Sequence, residues 1–289
     1  IVEDGVSIIA YTEGTEVVAN VLEQVSAMPV KYIHRMEQDL MKIDASSDNT
    51  VCIDFCSSND ACVLTTAYSL LGKRNIQLVG GTGDAGKVSA NGKVYEDAAA
   101  YAFVKNKGGR VKTYKENIYK PLDGQYLIAS ETDRSNYLLG ALNGKPAKQV
   151  YQVILHIDEK DITDQTFINP FGKLNGKEIC IISIKAVEGG ALTCYRQVND
   201  SDVLVLLQLQ DYKMVANDTI QRICYDFNHI SAVFSVNCLF RYLLFSKNND
   251  MQEYLETMSK LGSHAGLVGY GEHYNNQFVN QSMTCVVFE

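Results

Sequence analysis

Two stretches of this sequence pass through the same order of elements, and that repetition limits the chain to folds that can be built twice over. The later stretch opens with Ile230-Ser-Ala-Val-Phe-Ser-Val-Asn-Cys-Leu-Phe-Arg241, an apolar strand running into small polar residues and an arginine. A helix follows, with Asp250 and Glu253 spaced as a capping box. Its apolar positions Met251, Tyr254, Leu255, Met258 and Leu261 recur at helical spacing. Next come a short apolar run over Ala265–Val268, glycines on both sides of Tyr270, Glu272, and a closing strand from Ser282 to Phe288. The earlier stretch starts with a strand over Val51–Ser58 and a helix capped by Asn59 or Asp60, with Gly72 as its stop. A strand from Ile76 then runs into Gly80-Gly81-Thr82-Gly83-Asp84, and Ala98–Val104 closes the set. Leu-Val-Gly at 78–80 returns as Leu-Val-Gly at 267–269. Strand, helix, strand, glycine turn and strand, taken twice, specify an α/β chain. The expected architecture is two related halves, each a β-sheet flanked by helices, packed as a layered sandwich and not a short-period solenoid. The halves are expected over residues 1–135 and 136–289.

The remaining segments fit between these units. Val6–Tyr11 is expected to be a strand, and Val17, Val18, Val21, Leu22 and Val25 mark an apolar helical stripe. Residues 31–43 form a more polar helix with Ile33, Met36 and Leu40 inward and His34 outward. Strands are expected over Tyr126–Ser130 and Tyr137–Leu142, then a helix after Pro146 carrying Val150, Val153 and Ile154. Asp158–Asn175 reads as an irregular surface connection, followed by β runs over Glu178–Ala186, Ala191–Gln197 and Val203–Leu209 and a helix over residues 214–227.

A net charge of −8 and a pI near 5.2 argue against a nucleic-acid partner, since phosphate contacts need a basic face. No apolar run is long enough to span a bilayer. The eight cysteines sit mostly in apolar strands or on helices, without Cys-x-x-Cys or zinc-type spacing, so a reducing cytoplasm is the simpler compartment.

Several residues at the strand ends are candidates for a site. Arg241 is placed to clamp a carboxylate bidentately, or equally to make a structural salt bridge. Glu272, beyond Gly269, Tyr270 and Gly271, is placed to accept an ammonium group or the amides of its own turn; Asp84, after Gly81 and Thr82, holds the analogous place. Asn237 and Cys238 end the later strand, as helix caps or ligand contacts. Asn280 ties down the final turn or touches ligand. Gly-x-Ser-x-Gly and the complete P-loop are missing, and no histidine is tied by spacing to Cys56 or Cys238. No catalytic set emerges, and the chain is not expected to be an enzyme.

Phe234-Ser235 through Arg241, the helix, Ala265-Gly-Leu-Val-Gly-Tyr-Gly-Glu272 and Asn280-Gln-Ser-Met-Thr resemble the C-terminal part of a FIST domain. Leu78-Val-Gly-Gly-Thr-Gly-Asp84 is similar to the glycine turn of the family's N-terminal part, and Ser130-Glu-Thr-Asp with Leu142-Asn-Gly-Lys-Pro-Ala147 resembles the junction. The family's earlier strand, helix and glycine turn are not matched ahead of Val6, so a fragment of a longer protein is expected. The resemblance implies a sensory module of a bacterial signalling protein that binds a small metabolite, an amino acid or related carboxylate foremost. A haem-binding gas (nitric oxide) sensor and an enzyme with an unrecognised active site are the alternatives. A kinase or chemotaxis-type output domain would lie outside this chain. The family pattern carries an arginine at the place of Arg241, which favours its ligand role. Because some FIST proteins bind haem, His273 and His264 are the axial positions in that alternative; otherwise no cofactor is expected.

Overall fold

The computed structural model describes residues 8–27, 29–83, 86–124, 126–176 and 178–289. They form two compact units. One comprises the described residues up to Asn117 together with Lys213–Glu289, the other Ile118–Tyr212.

The first unit begins with β1 (Thr15–Glu23), α1 (Ile33–Lys42), β2 (Thr50–Cys56), α2 (Asp60–Leu71), β3 (Gln77–Thr82), the hairpin β4 (Lys87–Ala90) and β5 (Lys93–Glu96), β6 (Ala98–Asn106) and β7 (Val111–Asn117). β2 and β3 are parallel with α2 as their crossover, β6 lies antiparallel to β2, and β1 antiparallel to β6. Alternation along β2 decides what each face meets. Cys52 and Cys56 join Met36, Leu40, Leu64 and Leu71 of α1 and α2. Val51 and Ile53 point the other way.

The second unit holds β8 (Tyr119–Pro121), β9 (Leu127–Asp133), β10 (Leu138–Leu142), β11 (Lys145–Pro146), α3 (Ala147–Leu155), α4 (Ile162–Gln165), β12 (Phe171–Asn175), β13 (Glu178–Ile182), β14 (Ile184–Glu188), β15 (Ala191–Cys194) and β16 (Val203–Leu209). Its sheet runs β13-β12-β16-β9-β10-β15-β14. Ser183 alone separates β13 from β14, so the sheet's two edge strands are joined by one residue. The sheet therefore curls around a core that includes Leu139, Phe171 and Ile182, closed by Tyr151 of α3 and Ile162 of α4.

The chain then returns to the first unit through α5 (Tyr212–Asp226), β17 (Ala232–Cys238), α6 (Leu239–Lys247), α7 (Met251–Ser259), β18 (His264–Gly269), the hairpin β19 (Glu272–Tyr274) and β20 (Gln277–Val279), and β21 (Ser282–Phe288). β17 is parallel to β18 and antiparallel to β21, which pairs antiparallel with β7. The order β18-β17-β21-β7 thus repeats β3-β2-β6-β1 strand for strand. The two sheets face each other across Val51, Ile53, Val79, Phe234, Val236 and Val286. This is the helix-flanked, layered α/β fold that the repeat specifies. The β19–β20 hairpin leaves its own half, and β19 pairs with β3 at the edge of the first sheet.

Four local expectations change. Residues 15–23 are a strand, not a helix: nine consecutive positions pair with β6, from Thr15↔Asn106 to Glu23↔Ala98. That ladder suits stiff β-branched valines better than a helix does. Of the strand expected over Val6–Tyr11, residues 6 and 7 lie outside the described residues, and 8–11 carry no strand. Asp158–Asn175 contains α4 and the buried Phe171 of β12 instead of an irregular connection. Asp250 precedes α7 without a side-chain cap; its carboxylate and that of Glu253 both bind the Lys213 ammonium, at 2.8 and 2.7 Å.

The recurring Leu-Val-Gly is out of phase in space. Leu78 packs under α1 and α2, whereas Leu267 lies between the sheets. The residues that correspond are Gly80 and Gly266, which stand in register with Asp54 and Ser235 on the neighbouring parallel strand. A Cβ would fall 1.9 Å from the Asp54 carbonyl oxygen at Gly80 and 2.4 Å from that of Ser235 at Gly266. Each glycine makes room on the helix side for a polar neighbour.

Candidate functional site

The later half carries a cavity of about 550 Å3 between the helix-side face of β17 and β18 and the helices α6 and α7. Its polar lining comes from Ser235, Asn237, Arg241, Tyr254 and His264. Ser235 and Asn237 share a strand face by their two-residue spacing, and α6 starts directly after Cys238, which brings Arg241 back over the strand end. A hydrogen-bond string crosses the floor. Tyr254 Oη donates to Asn237 Oδ1 at 3.0 Å, Asn237 Nδ2 to Ser235 Oγ at 3.4 Å, and Ser235 Oγ lies 2.8 Å from His264 Nε2. Burial lowers the His264 pKa, so its imidazole is neutral near pH 7.

Arg241 is the one charged member of the lining, and it is 1% exposed. Its Nη2 donates to Glu116 Oε1 from β7, and the Glu116 side chain is fully buried. Burial opposes the guanidinium charge, and the Glu116 carboxylate together with Tyr254 more than offsets that cost. The rings of Phe245 and Tyr254 lie 5.1 and 5.5 Å from the guanidinium carbon. Nε and Nη1 are buried without a hydrogen-bond partner. Two guanidinium nitrogens at the wall of a cavity, each costly to bury unpaired, are a place for ligand oxygens.

Glu272 does not join Arg241 in the cavity wall. It is fully buried on β19, where its Oε2 accepts from the Ser282 amide and hydroxyl at 3.2 and 2.7 Å. Burial raises its pKa to about 8 despite these bonds, so near neutral pH the carboxyl is mostly uncharged and unsuited to hold an ammonium. Cys238 caps α6 with its thiol against Glu272, and burial first, then that carboxyl, push the thiol well up. It is no ready nucleophile.

The glycine turns of the two halves meet each other. Thr82 N donates to Gly271 O, and Tyr270 N to Thr82 O, both at 3.0 Å. A Cβ at Gly81 would stand 2.6 Å from Gly271 O, and one at Gly271, where φ is +147°, 2.3 Å from the Phe278 ring. Close backbone approach accounts for Gly81, and the Phe278 ring together with the positive φ for Gly271. Gly269 is buried beside this junction, Tyr270 is half exposed, and Asn280 turns its side-chain oxygen toward Gly271. Asp84 lies outside the described residues.

His273, next to Glu272 in sequence, crosses to the first half. It is fully buried, with Nδ1 2.8 Å from Asp54 Oδ2 and Nε2 2.9 Å from Asp60 Oδ1. The Thr82 hydroxyl also donates to Asp60 Oδ1. Burial opposes the imidazolium, but the two carboxylates outweigh it and raise the pKa to about 10. His273 is fully buried between two carboxylates and does not line the cavity, so it does not fit an axial ligand of a haem placed there. His264 reaches the cavity, but its Nε2 is bonded to Ser235 in a floor of small polar groups, so neither imidazole suits that cofactor.

The sequence reading missed Glu116 as the partner of Arg241 and took Tyr254 for an apolar helix position. Glu116 sits 125 residues before Arg241, and only the pairing of β7 with β21 brings it near. A glutamate at a buried strand position, which demands a cation, was the available signal.

Among the described residues no helix is long and apolar enough to cross a membrane. No curated protein matches the chain. The model of the FIST N domain matches residues 1–145 and that of the FIST C domain residues 147–275. The duplicated sheets and the two matches, which together cover nearly the whole sequence, place the chain in the FIST family, whose domains are associated with sensory signal transduction.

Proposed function

We propose that the chain is the ligand-binding part of a sensor, and that the cavity beside Arg241 takes a free amino acid or a closely related carboxylate without chemically changing it. One observation carries this reading: a buried arginine lines a cavity with Nε and Nη1 unpartnered. Charge balance favours a zwitterion. Glu116 already neutralises Arg241, so a simple anion would leave one uncompensated charge in a dry site, whereas an amino acid would leave none. Asn237 Oδ1, which accepts one bond from Tyr254, has a second lone pair for the ammonium and replaces Glu272 in that role. The signal would pass to a kinase or chemotaxis-type output outside these residues. The eight free thiols, Cys62 and Cys224 among them exposed, suit a bacterial cytoplasm.

The test is a calorimetric and thermal-shift screen of free amino acids, their des-amino acids and the matching amines. Amino acids should release heat and raise the melting temperature by mass action, while the des-amino acids bind more weakly and the amines not at all. A flat response across all three sets would overturn the reading.

A further inference from the structure

Asp54, Gly80 and His273 occupy one row across three adjacent strands, because Asp54 is in register with Gly80 on β3 and Gly80 with His273 on β19. Side chains two strands apart do not ordinarily meet. Here the middle residue has none, and Asp54 and His273 close over it to 2.8 Å. Cys56, two residues along β2 and so on the same face, places its thiol 3.8 Å from Asp54 Oδ2. All three residues are buried, and their ligand atoms lie within 4.8 Å of one another.

We propose that Asp54, Cys56 and His273 form a binding site for a first-row transition dication of zinc type, independent of the amino-acid cavity. The donor set is a thiol, an imidazole and a carboxylate, the mix that such ions select. Ligands about 2.0–2.3 Å from a tetrahedral centre stand roughly 3.3–3.7 Å apart, so the three atoms need to move by less than about 1 Å. Asp54 Oδ1 is buried without a partner and is available as a fourth donor from the same carboxylate. Gly80 keeps the space beside that oxygen, since a Cβ there would lie 2.2 Å from it. Behind the imidazole, Asp60 holds Nε2 and is itself held by Thr82, an arrangement that fixes which nitrogen of a metal-bound histidine faces the ion. Asp54 and Asp60 together outnumber the one imidazole facing them, and among the described residues no lysine or arginine pairs with either carboxylate. A dication would take the place of the imidazolium proton and the thiol proton, leaving the net charge of the group unchanged.

The probe is cobalt(II), followed by zinc competition, on chelator-treated protein. Wild type should bind one equivalent and show a near-ultraviolet thiolate-to-cobalt charge-transfer band that zinc removes. Cys56→Ser should lose the band, and Cys56→Ala, which keeps the core apolar, should lose it with the fold intact. Asp60→Asn leaves all three ligands in place and loosens the support of His273, so it should keep the band but weaken affinity ~10–100-fold. Cys238→Ser, at the buried thiol of the other half, should change nothing. No stoichiometric binding by wild type, or a band that survives in both Cys56 variants, would refute the site.

Discussion

Arg241 pairs with Glu116, and the proposed function gives it a binding role as well; the two can be separated by removing its partner too. Arg241→Met strands the Glu116 carboxylate at a position with no solvent exposure. Losing one member of a buried pair costs about 3–5 kcal/mol. At about 2–4 °C per kcal/mol, that lowers the melting temperature by roughly 6–20 °C. Arg241→Met/Glu116→Leu removes both charges and should recover most of the loss, because an apolar pair of similar volume is often as stable as the ions it replaces. Binding should not recover. The lost contact to a desolvated carboxylate is worth about 2–5 kcal/mol, or roughly 30-fold to several-thousand-fold in affinity. Urea unfolding gives the stability of the three proteins, and titration calorimetry with the best amino acid from the screen gives their affinities. A double variant that binds as tightly as wild type would remove Arg241 from the site. A single variant as stable as wild type would show that the guanidinium and Glu116 are not coupled in a dry interior.

Gly80→Ala should destabilise the protein by about 1–3 kcal/mol or more through overpacking against Asp54; Gly14→Ala, where a Cβ meets nothing within 4 Å, should be neutral in the same denaturation series. Burial lowers the folded-state pKa of His264 below its unfolded value of about 6.5. Its contribution to stability is therefore full above that pH and is lost as pH falls through it. Urea midpoints between neutral and mildly acid pH should fall further for wild type than for His264→Gln, and parallel curves would dismiss the effect.

The repeated order of elements was legible because each half carries its own periodicity change and its own stop signals. β2, α2, β3 and β6 lie close to where the local pattern puts them, as do β17, α7, β18 and β21. What misled was local pattern under tertiary control. The valines of β1 fall at helical spacing, yet a nine-residue partner strand decides their conformation. α6 was hidden because Leu239–Lys247 follows β17 without a breaker, with Cys238 as the cap. Of the candidate residues, Arg241 and Asn237 reach the cavity together. Glu272 and His273, adjacent in sequence, serve different partners because alternation on β19 sends their side chains to opposite faces. Periodicity can predict that divergence; it cannot name Ser282 or Asp54 as the destinations.

The two halves differ in a way that opens the helix-side cavity beside Arg241 in the later one. In the first, β2 leads into a single twelve-residue helix, α2, which lies flat on its sheet. The room above Gly80 is filled by Asp54 and by an imidazole that the β19 hairpin brings from the other half. In the second, the same crossover is made by two nine-residue helices, α6 and α7, separated by Asn248–Asp250. Above Gly266 stand Ser235 and His264, bonded to each other, and no hairpin arrives to cover them. The longer, broken crossover leaves a gap above Ser235, Asn237 and Gly266, and Arg241 is held at that gap's edge by Glu116. A duplicated strand–helix–strand unit has thus been filled over Gly80 in one copy and left with a cavity under its crossover in the other. The difference resides in the length of one connection and in which sheet its hairpin joins.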